Sequence, residues 1–330
     1  MRVLFYYSRI AAKIQHAALI FQKNAGIRRE GMEKPIHLCY NVHTTWSIQQ
    51  RRLIHMIRVT VWNENVQEQG IKALPQEILD QINSGNEQAK FFKDFLEKSA
   101  REIAVVHPQG IHNTLKALLE EEDDITVRTV TLDMPECGLT QEVLDDTDVL
   151  LWWAHIAHER VPDEIVARVK NAVLKGMGFI PLHSAHQCKP LQALLGTSGS
   201  LGWREGDRSR VWCVNPAHPI AKGIPAYIDL PEEEMYSEFF DIPQPDEQVF
   251  ISWYSGGEVF RSGNCWYRGY GRIFYFQPGH ETNRSYFIPE VRQIIKNAVR
   301  WAAPQVRREA IDCPHVQVSA EAAWAAKQEK

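Results

Sequence analysis

The chain has 330 residues, 44% apolar and 24% charged, with a formal net charge of −4, a balance that suits one large globular domain with appendages and excludes a fibrous or wholly disordered chain. Residues 1–55 carry nine Lys/Arg against Glu30 and Glu33, a balance of +7 that leaves −11 for the rest. An acidic body argues against nucleic acid as a partner, because phosphate-backbone affinity rests on clustered Lys and Arg.

The basic head at 1–55 has two readings. Helical spacing near Ile14 and Leu19 suits an organelle-targeting or membrane-surface segment. Alternatively the head is a disordered extension or no part of the native product, because ordered sequence begins at Ile57-Arg58-Val59-Thr60-Val61-Trp62, directly after an in-frame Met56. Beyond it, period-2 and continuous apolar runs alternate with period-3.6 segments, the pattern of a flavodoxin-like doubly wound α/β fold with a mostly parallel sheet. Strands are predicted at 57–62, 125–131, 148–153, 178–182 and 272–277. Between them, helices are predicted from Gly110 to Leu119, over 162–175 and over 289–301. The second has Pro162 at its start, Asp163 and Glu164 at the positive end of its dipole, and Ile165, Val166, Val169 and Val173 in one stripe. Residues 69–104 read as a polar, helix-prone surface insertion, and 200–265 as extra strands covering the mouth of the sheet's crevice. The α/β domain therefore spans 57–304, followed by a tail at 305–330. No run after Met56 approaches the roughly 20 apolar residues of a membrane span. The six cysteines are scattered without a C-x-x-C pair, so no disulfide framework or cysteine zinc module is expected and a reducing cytoplasm fits best.

Three predicted strands end in histidines. Leu151-Trp152-Trp153-Ala154 runs into His155 and His158, Leu182 into His183 and His186, and Gln277-Pro278-Gly279 into His280 and Glu281. In a doubly wound sheet, residues just past the strand C-termini line one crevice, so these five histidines share one rim. Imidazoles with a neighbouring carboxylate act as acid or base near neutral pH and can bind a divalent transition metal. His155, His183, His186, His280 and Glu64 are the catalytic candidates. If a metal is held, Zn²⁺ or Mn²⁺ is expected on His155, His186 and His280. Trp153, His158, Glu234, Tyr236, Glu238 and Glu281 are candidate substrate contacts; Glu234 and Tyr236 alternate on one strand and can both face the crevice. Ser184 is open to two readings, a hydrolase nucleophile with His280 and Glu281 or a helix cap. No Gly-rich nucleotide fingerprint follows a strand, so no nucleotide is expected.

These stretches, with Val59-Thr60-Val61-Trp62-Asn63-Glu64, Pro108-Gln109-Gly110-Ile111-His112, Asp133-Met134-Pro135-Glu136-Cys137-Gly138, Asn215-Pro216-Ala217-His218-Pro219-Ile220 and Glu233-Glu234-Met235-Tyr236-Ser237-Glu238, resemble the trehalose-utilisation (ThuA-like) family over nearly all of 57–304. The resemblance implies a class I glutamine amidotransferase-like fold and a role in the use of trehalose and related disaccharides at the level of keto-sugar intermediates, and it adds His112 to the candidate substrate contacts. Three departures stand out, one of them the insertion at 69–104, which is longer than the family leads one to expect. The family reads Asn-Glu-x-x-His-Glu after the first strand, whereas Gln67 stands here at the histidine position and cannot shuttle a proton. Ala154 and Ala185 replace customary glycines and would be strained at positive φ. Amidotransferase chemistry itself is not expected, because the strand-to-helix turn offers Ser184 and Cys188 lies four residues beyond it. Two function classes remain: an enzyme that isomerises or cleaves a keto-sugar supplied by a partner sugar dehydrogenase, or a non-catalytic sugar-binding or complex-forming subunit. The ligand in either is a small carbohydrate, and a homo-oligomer is compatible with both.

Overall fold

Strand β1 (Ile57–Asn63) shows why the sheet is covered on both sides: Val59 and Val61 enter one core cluster and Trp62 the other, as period-2 alternation requires. The same split recurs in β3 (Val149–Trp153), where Leu150 and Trp152 face one way and Leu151 and Trp153 the other. The computed structural model describes residues 56–313 and 315–329; both readings of the basic head lie outside the described residues.

Downstream of β1 come α1 (Val66–Gln69), α2 (Gln76–Asn83), α3 (Glu87–Val106), α4 (Ile111–Leu119), β2 (Ile125–Thr131) and α5 (Gln141–Asp145). After β3 follow α6 (Asp163–Leu174), β4 (Gly178–Leu182), α7 (Lys189–Leu195), β5 (Gly202–Cys213), β6 (Tyr227–Ser237), β7 (Glu247–Tyr254), β8 (Val259–Arg268), β9 (Gly271–Phe276), α8 (Pro289–Ala302) and α9 (Ala320–Gln328). The apolar stripe of α6 packs with Trp62, Trp152 and Phe179, while α4 and α8 cover the opposite face.

The nine strands form one sheet in the order β2-β1-β3-β4-β9-β8-β7-β5-β6. Its first five are parallel and follow the flavodoxin-like 2-1-3-4-5 order. The other four are antiparallel. The strands expected at 200–265 thus continue the sheet at its edge, and only parts of β5 and β6 wall the crevice. Parallel register aligns Asn63 with Trp153, Trp153 with Leu182, and Leu182 with Phe276. Residues just beyond that line leave the sheet side by side.

Helix α3 is capped by Asn86, whose side chain accepts from the Ala89 amide at 3.1 Å. It buries Leu96 and Ile103 and turns Phe95, Lys98, Ser99 and Glu102 toward the crevice. In the tail, Arg307 donates to the Asp145 carbonyl at 2.8 Å, and α9 buries no residue. No helix among the described residues is long and apolar enough to cross a membrane.

Candidate functional site

The turn after β4 places a strained residue where the strand breaks into the crevice: His183 has φ 51°, a left-handed conformation that non-glycine residues adopt at a cost. Neither Ala154 nor Ala185 has positive φ, so the strain foreseen there falls on the histidine. The Tyr275 hydroxyl donates to the His183 carbonyl at 3.0 Å, and His183 Nδ1 lies 3.0 Å from the Gln277 carbonyl. A carbonyl only accepts, so Nδ1 carries the proton, and Nε2 faces Glu234 Oε2 at 3.1 Å and the Tyr236 hydroxyl at 3.4 Å. The Glu234 contact is close but poorly aligned, leaving Oε2 without a well-formed hydrogen bond.

Two further imidazoles meet it. His155 Nδ1 lies 3.0 Å from both oxygens of Glu281. His280 Nδ1 accepts from the Thr282 amide at 3.2 Å, which puts its own proton on Nε2, 3.6 Å from Glu281 Oε2. Ring centroids are separated by 5.6 Å (His155 to His183), 5.6 Å (His155 to His280) and 5.3 Å (His183 to His280). One donor atom from each of His155, His183, His280 and Glu281 lies within 4.8 Å of the others.

Burial alone would lower the His155 pKa, but the Glu281 carboxylate, with help from Glu234 and Glu64, pushes it up to about 9. Burial would likewise raise Glu281, yet His155, and then His280 and His183, hold it far below the ordinary carboxylate range. Glu234 behaves the same way: His183 outweighs its burial and keeps it ionised. His183 is raised despite burial, through Glu234, whereas burial lowers His280. Above this floor opens a cavity of about 540 Å³, within the range of small-molecule sites. Phe95, Trp203 and Tyr236 give it aromatic surface, and Glu102, Glu205 and Glu232 outnumber Lys98 on its walls.

The structure brings His155, His183, His280, Glu281, Glu234 and Tyr236 together and sends the other candidates elsewhere. His186 lines the cavity, but its Nδ1 bonds the Gly199 carbonyl at 2.6 Å and burial pushes its pKa down to about 3, so it stands outside the imidazole cluster expected to include it. Glu64 does not border the cavity: its two oxygens accept the Ile156 and Ala157 amides at 2.9 Å each, clamping the loop that carries His155. Trp153 is fully buried and donates to the Gly279 carbonyl at 3.1 Å, which makes it a brace for the His280 loop. His158 has no partner on either ring nitrogen, and burial holds it near a pKa of about 4. His112 bonds Asn63 at 3.0 Å away from the cavity lining. Glu238 forms a two-pronged pair with Arg261, both contacts 2.9 Å, and caps the Phe240 amide.

Ser184 Oγ bonds the Tyr236 hydroxyl at 2.7 Å and touches no histidine, so no base activates it. Burial pushes the Cys188 thiol up to about 12, which removes a thiolate nucleophile at neutral pH. Gln67 donates to Glu281 Oε1 at 2.8 Å, so the substitution keeps a hydrogen bond on that carboxylate while giving up a titratable group.

Sequence reasoning missed Glu233. Fully buried, it gathers the amides of Glu234, Gly279 and His280 and the Ser285 hydroxyl at 3.0, 2.9, 3.1 and 2.6 Å, and so sets the loop that presents His280. Glu233 stands in a stretch that carries the family resemblance, but strand alternation with Tyr236 pointed only Glu234 at the crevice and gave its neighbour no role. The α3 residues of the cavity wall were hidden because a polar helix reads as surface.

A ThuA-like protein from Parabacteroides merdae superposes on this chain with a TM-score of 0.53 and 14% identity, over 78% of this chain and 93% of its own. One from Bacteroides uniformis gives a TM-score of 0.45 and 15% identity, over 74% and 90%. The first supports the fold, which is the class I glutamine amidotransferase-like α/β fold. No curated protein is a significant sequence match. The model of the ThuA family, described as trehalose utilisation, matches residues 58–302, and with the sheet order and the motifs above it shows that the chain belongs to that trehalose-utilisation family.

Proposed function

We propose that the chain is an enzyme of trehalose or related disaccharide use that enolises a keto-sugar, leading to isomerisation or to cleavage of the adjacent glycosidic bond. The observation that carries this is a cluster of three imidazoles and two ionised carboxylates, of which His155, His280, Glu234 and Glu281 line a sugar-sized cavity and His183 lies buried directly beneath it. Glu234, held as a carboxylate with one oxygen free of a well-aligned hydrogen bond, is the base. It takes the proton from the carbon beside the carbonyl; the C–H pair becomes the C=C bond and the carbonyl π pair moves onto oxygen. His280, with its proton on Nε2, and the cationic His155 face the developing oxyanion. For isomerisation, His280 protonates the oxyanion, the neighbouring hydroxyl gives its proton back to His280 as its O–H pair forms the new carbonyl, and the proton on Glu234 passes to the former carbonyl carbon. For cleavage, the oxyanion pair re-forms the carbonyl, the C=C pair shifts to the glycosidic carbon, and the expelled glycosidic oxygen takes the proton from Glu234, leaving an unsaturated keto-sugar. Acidic walls disfavour phosphorylated sugars, and the aromatic surfaces of Phe95, Trp203 and Tyr236 suit the C–H faces of a neutral ring. A sugar dehydrogenase is the natural source of the keto group.

Incubation with 3-keto-trehalose in D₂O, followed by NMR with and without added Zn²⁺ or Mn²⁺, tests the reading. Deuterium incorporation beside the carbonyl or release of a hexose is expected. Saturable binding with no exchange under any condition would assign the chain to the sugar-binding subunit class instead.

A further inference from the structure

The buried acid around the imidazole floor is short of permanent cations. Glu234 and Glu281 are 5% and 3% exposed, and among the described residues neither forms an ion pair with Lys or Arg; the groups they meet are histidines. Buried charge is ordinarily paired or bound to a metal. We propose that His155, His183, His280 and Glu281 hold one divalent transition-metal ion.

Three imidazoles and a carboxylate are borderline donors of the kind that Zn²⁺ and Mn²⁺ accept. Donor atoms bound to one tetrahedral ion at about 2.05 Å stand roughly 3.3 Å apart, so a set already within 4.8 Å closes with side-chain movements on the order of 1 Å. Orienting groups are in place. The Gln277 carbonyl accepts from Nδ1 of His183, which is the usual outer contact of a metal-bound histidine, and Nε2, beside Glu234 Oε2 at 3.1 Å, is the nitrogen left to ligate. Thr282 holds the His280 ring from its other side, its hydroxyl 2.9 Å from Nδ1. His155 and Glu281 already touch. With the ion bound, His155 and His280 would give up the protons that face the oxyanion in the enolisation reading, and the ion would supply that positive charge in their place; its test does not depend on that reading.

Full-length protein stripped with EDTA is titrated with ZnCl₂ and with MnCl₂ by calorimetry, and bound metal is counted by elemental analysis. One ion per chain is expected. His155→Ala and Glu281→Gln should each weaken affinity by about 10- to 100-fold or more, while His186→Ala, outside the cluster, should change it less than about twofold. Should either cluster variant fail to fold, the visible absorption of Co²⁺ added to the wild-type chain and to His280→Gln decides: a ligand-field band in the first, weakened or shifted in the second, is expected. Absence of saturable uptake, an affinity unmoved by folded cluster variants, a Co²⁺ band unchanged in His280→Gln, or a loss confined to His186→Ala would overturn the site. Metal uptake without substrate exchange would leave the site standing and remove only the proposed reaction.

Discussion

Glu233→Gln isolates the carboxylate that holds the His280 loop. Oε1 accepts from the Glu234 and His280 amides and Oε2 from the Gly279 amide and the Ser285 hydroxyl, all in a fully buried setting. A glutamine must aim its NH₂ at one of these pairs. The Ser285 hydroxyl can rotate to accept, so the cheaper orientation puts NH₂ on that side and leaves the Gly279 amide without an acceptor. One buried orphan donor costs about 1–3 kcal/mol, and the surviving bonds fall from charged to neutral strength, roughly 1 kcal/mol apiece. Relief of repulsion toward Glu234 offsets part of this. A net loss of about 3 kcal/mol is expected, a fall in Tm of roughly 6–12 °C for a domain of this size. Thermal melting followed by near-ultraviolet circular dichroism reads it, with exposed Glu232→Gln as the control expected within about 0.5 kcal/mol of wild type. Turnover should fall with the displaced His280. If Glu233→Gln melts within a degree of wild type and keeps its activity, packing and not this carboxylate holds the loop.

Gly279→Ala should be worse, since the added methyl would lie 2.1 Å from the Tyr286 hydroxyl at a φ of 138°; a loss of at least about 3 kcal/mol in urea unfolding is expected, and near-neutral behaviour would show that the loop readily moves. His107 is held neutral by burial, with its pKa lowered to about 4 from 6.5. Its folded pKa lies below its unfolded one, so the stability it contributes is present above pH 6.5 and is lost as pH falls toward 4, about 3 kcal/mol in all. His107→Phe keeps the ring that stacks 5.7 Å from Phe287 and removes the unpartnered Nε2; urea midpoints at pH 7 and pH 5 should show a flatter acid limb, and an unchanged slope would place the acid sensitivity elsewhere. Glu234→Gln should lower turnover by at least about 10²-fold and Ser184→Ala by less than about tenfold; the reverse ranking in kcat would restore the serine as nucleophile.

Period-2 and period-3.6 patterning is a local property, and it located the parallel strands and α4, α6 and α8 to within a residue or two of their observed bounds. It also placed His155, His183 and His280 on one rim, because parallel strands in register end at one edge whatever the side chains then do. What each side chain does there was decided by distant partners. His183 and His186 look equivalent in sequence, and each ties its Nδ1 to a backbone carbonyl, yet the left-handed turn at His183 aims its Nε2 at Glu234, 51 residues away, and into the imidazole cluster, while His186 stays outside that cluster. Glu64 and Glu238 carry the same carboxylate as Glu281, but loop amides and Arg261 consume them, and Glu281 meets His155 across 126 residues. Backbone periodicity is set by neighbours a few residues apart and is legible along the chain; the hydrogen-bond and charge partners of a buried group are set by which loops the sheet brings together, and that appears only once the chain has closed on itself.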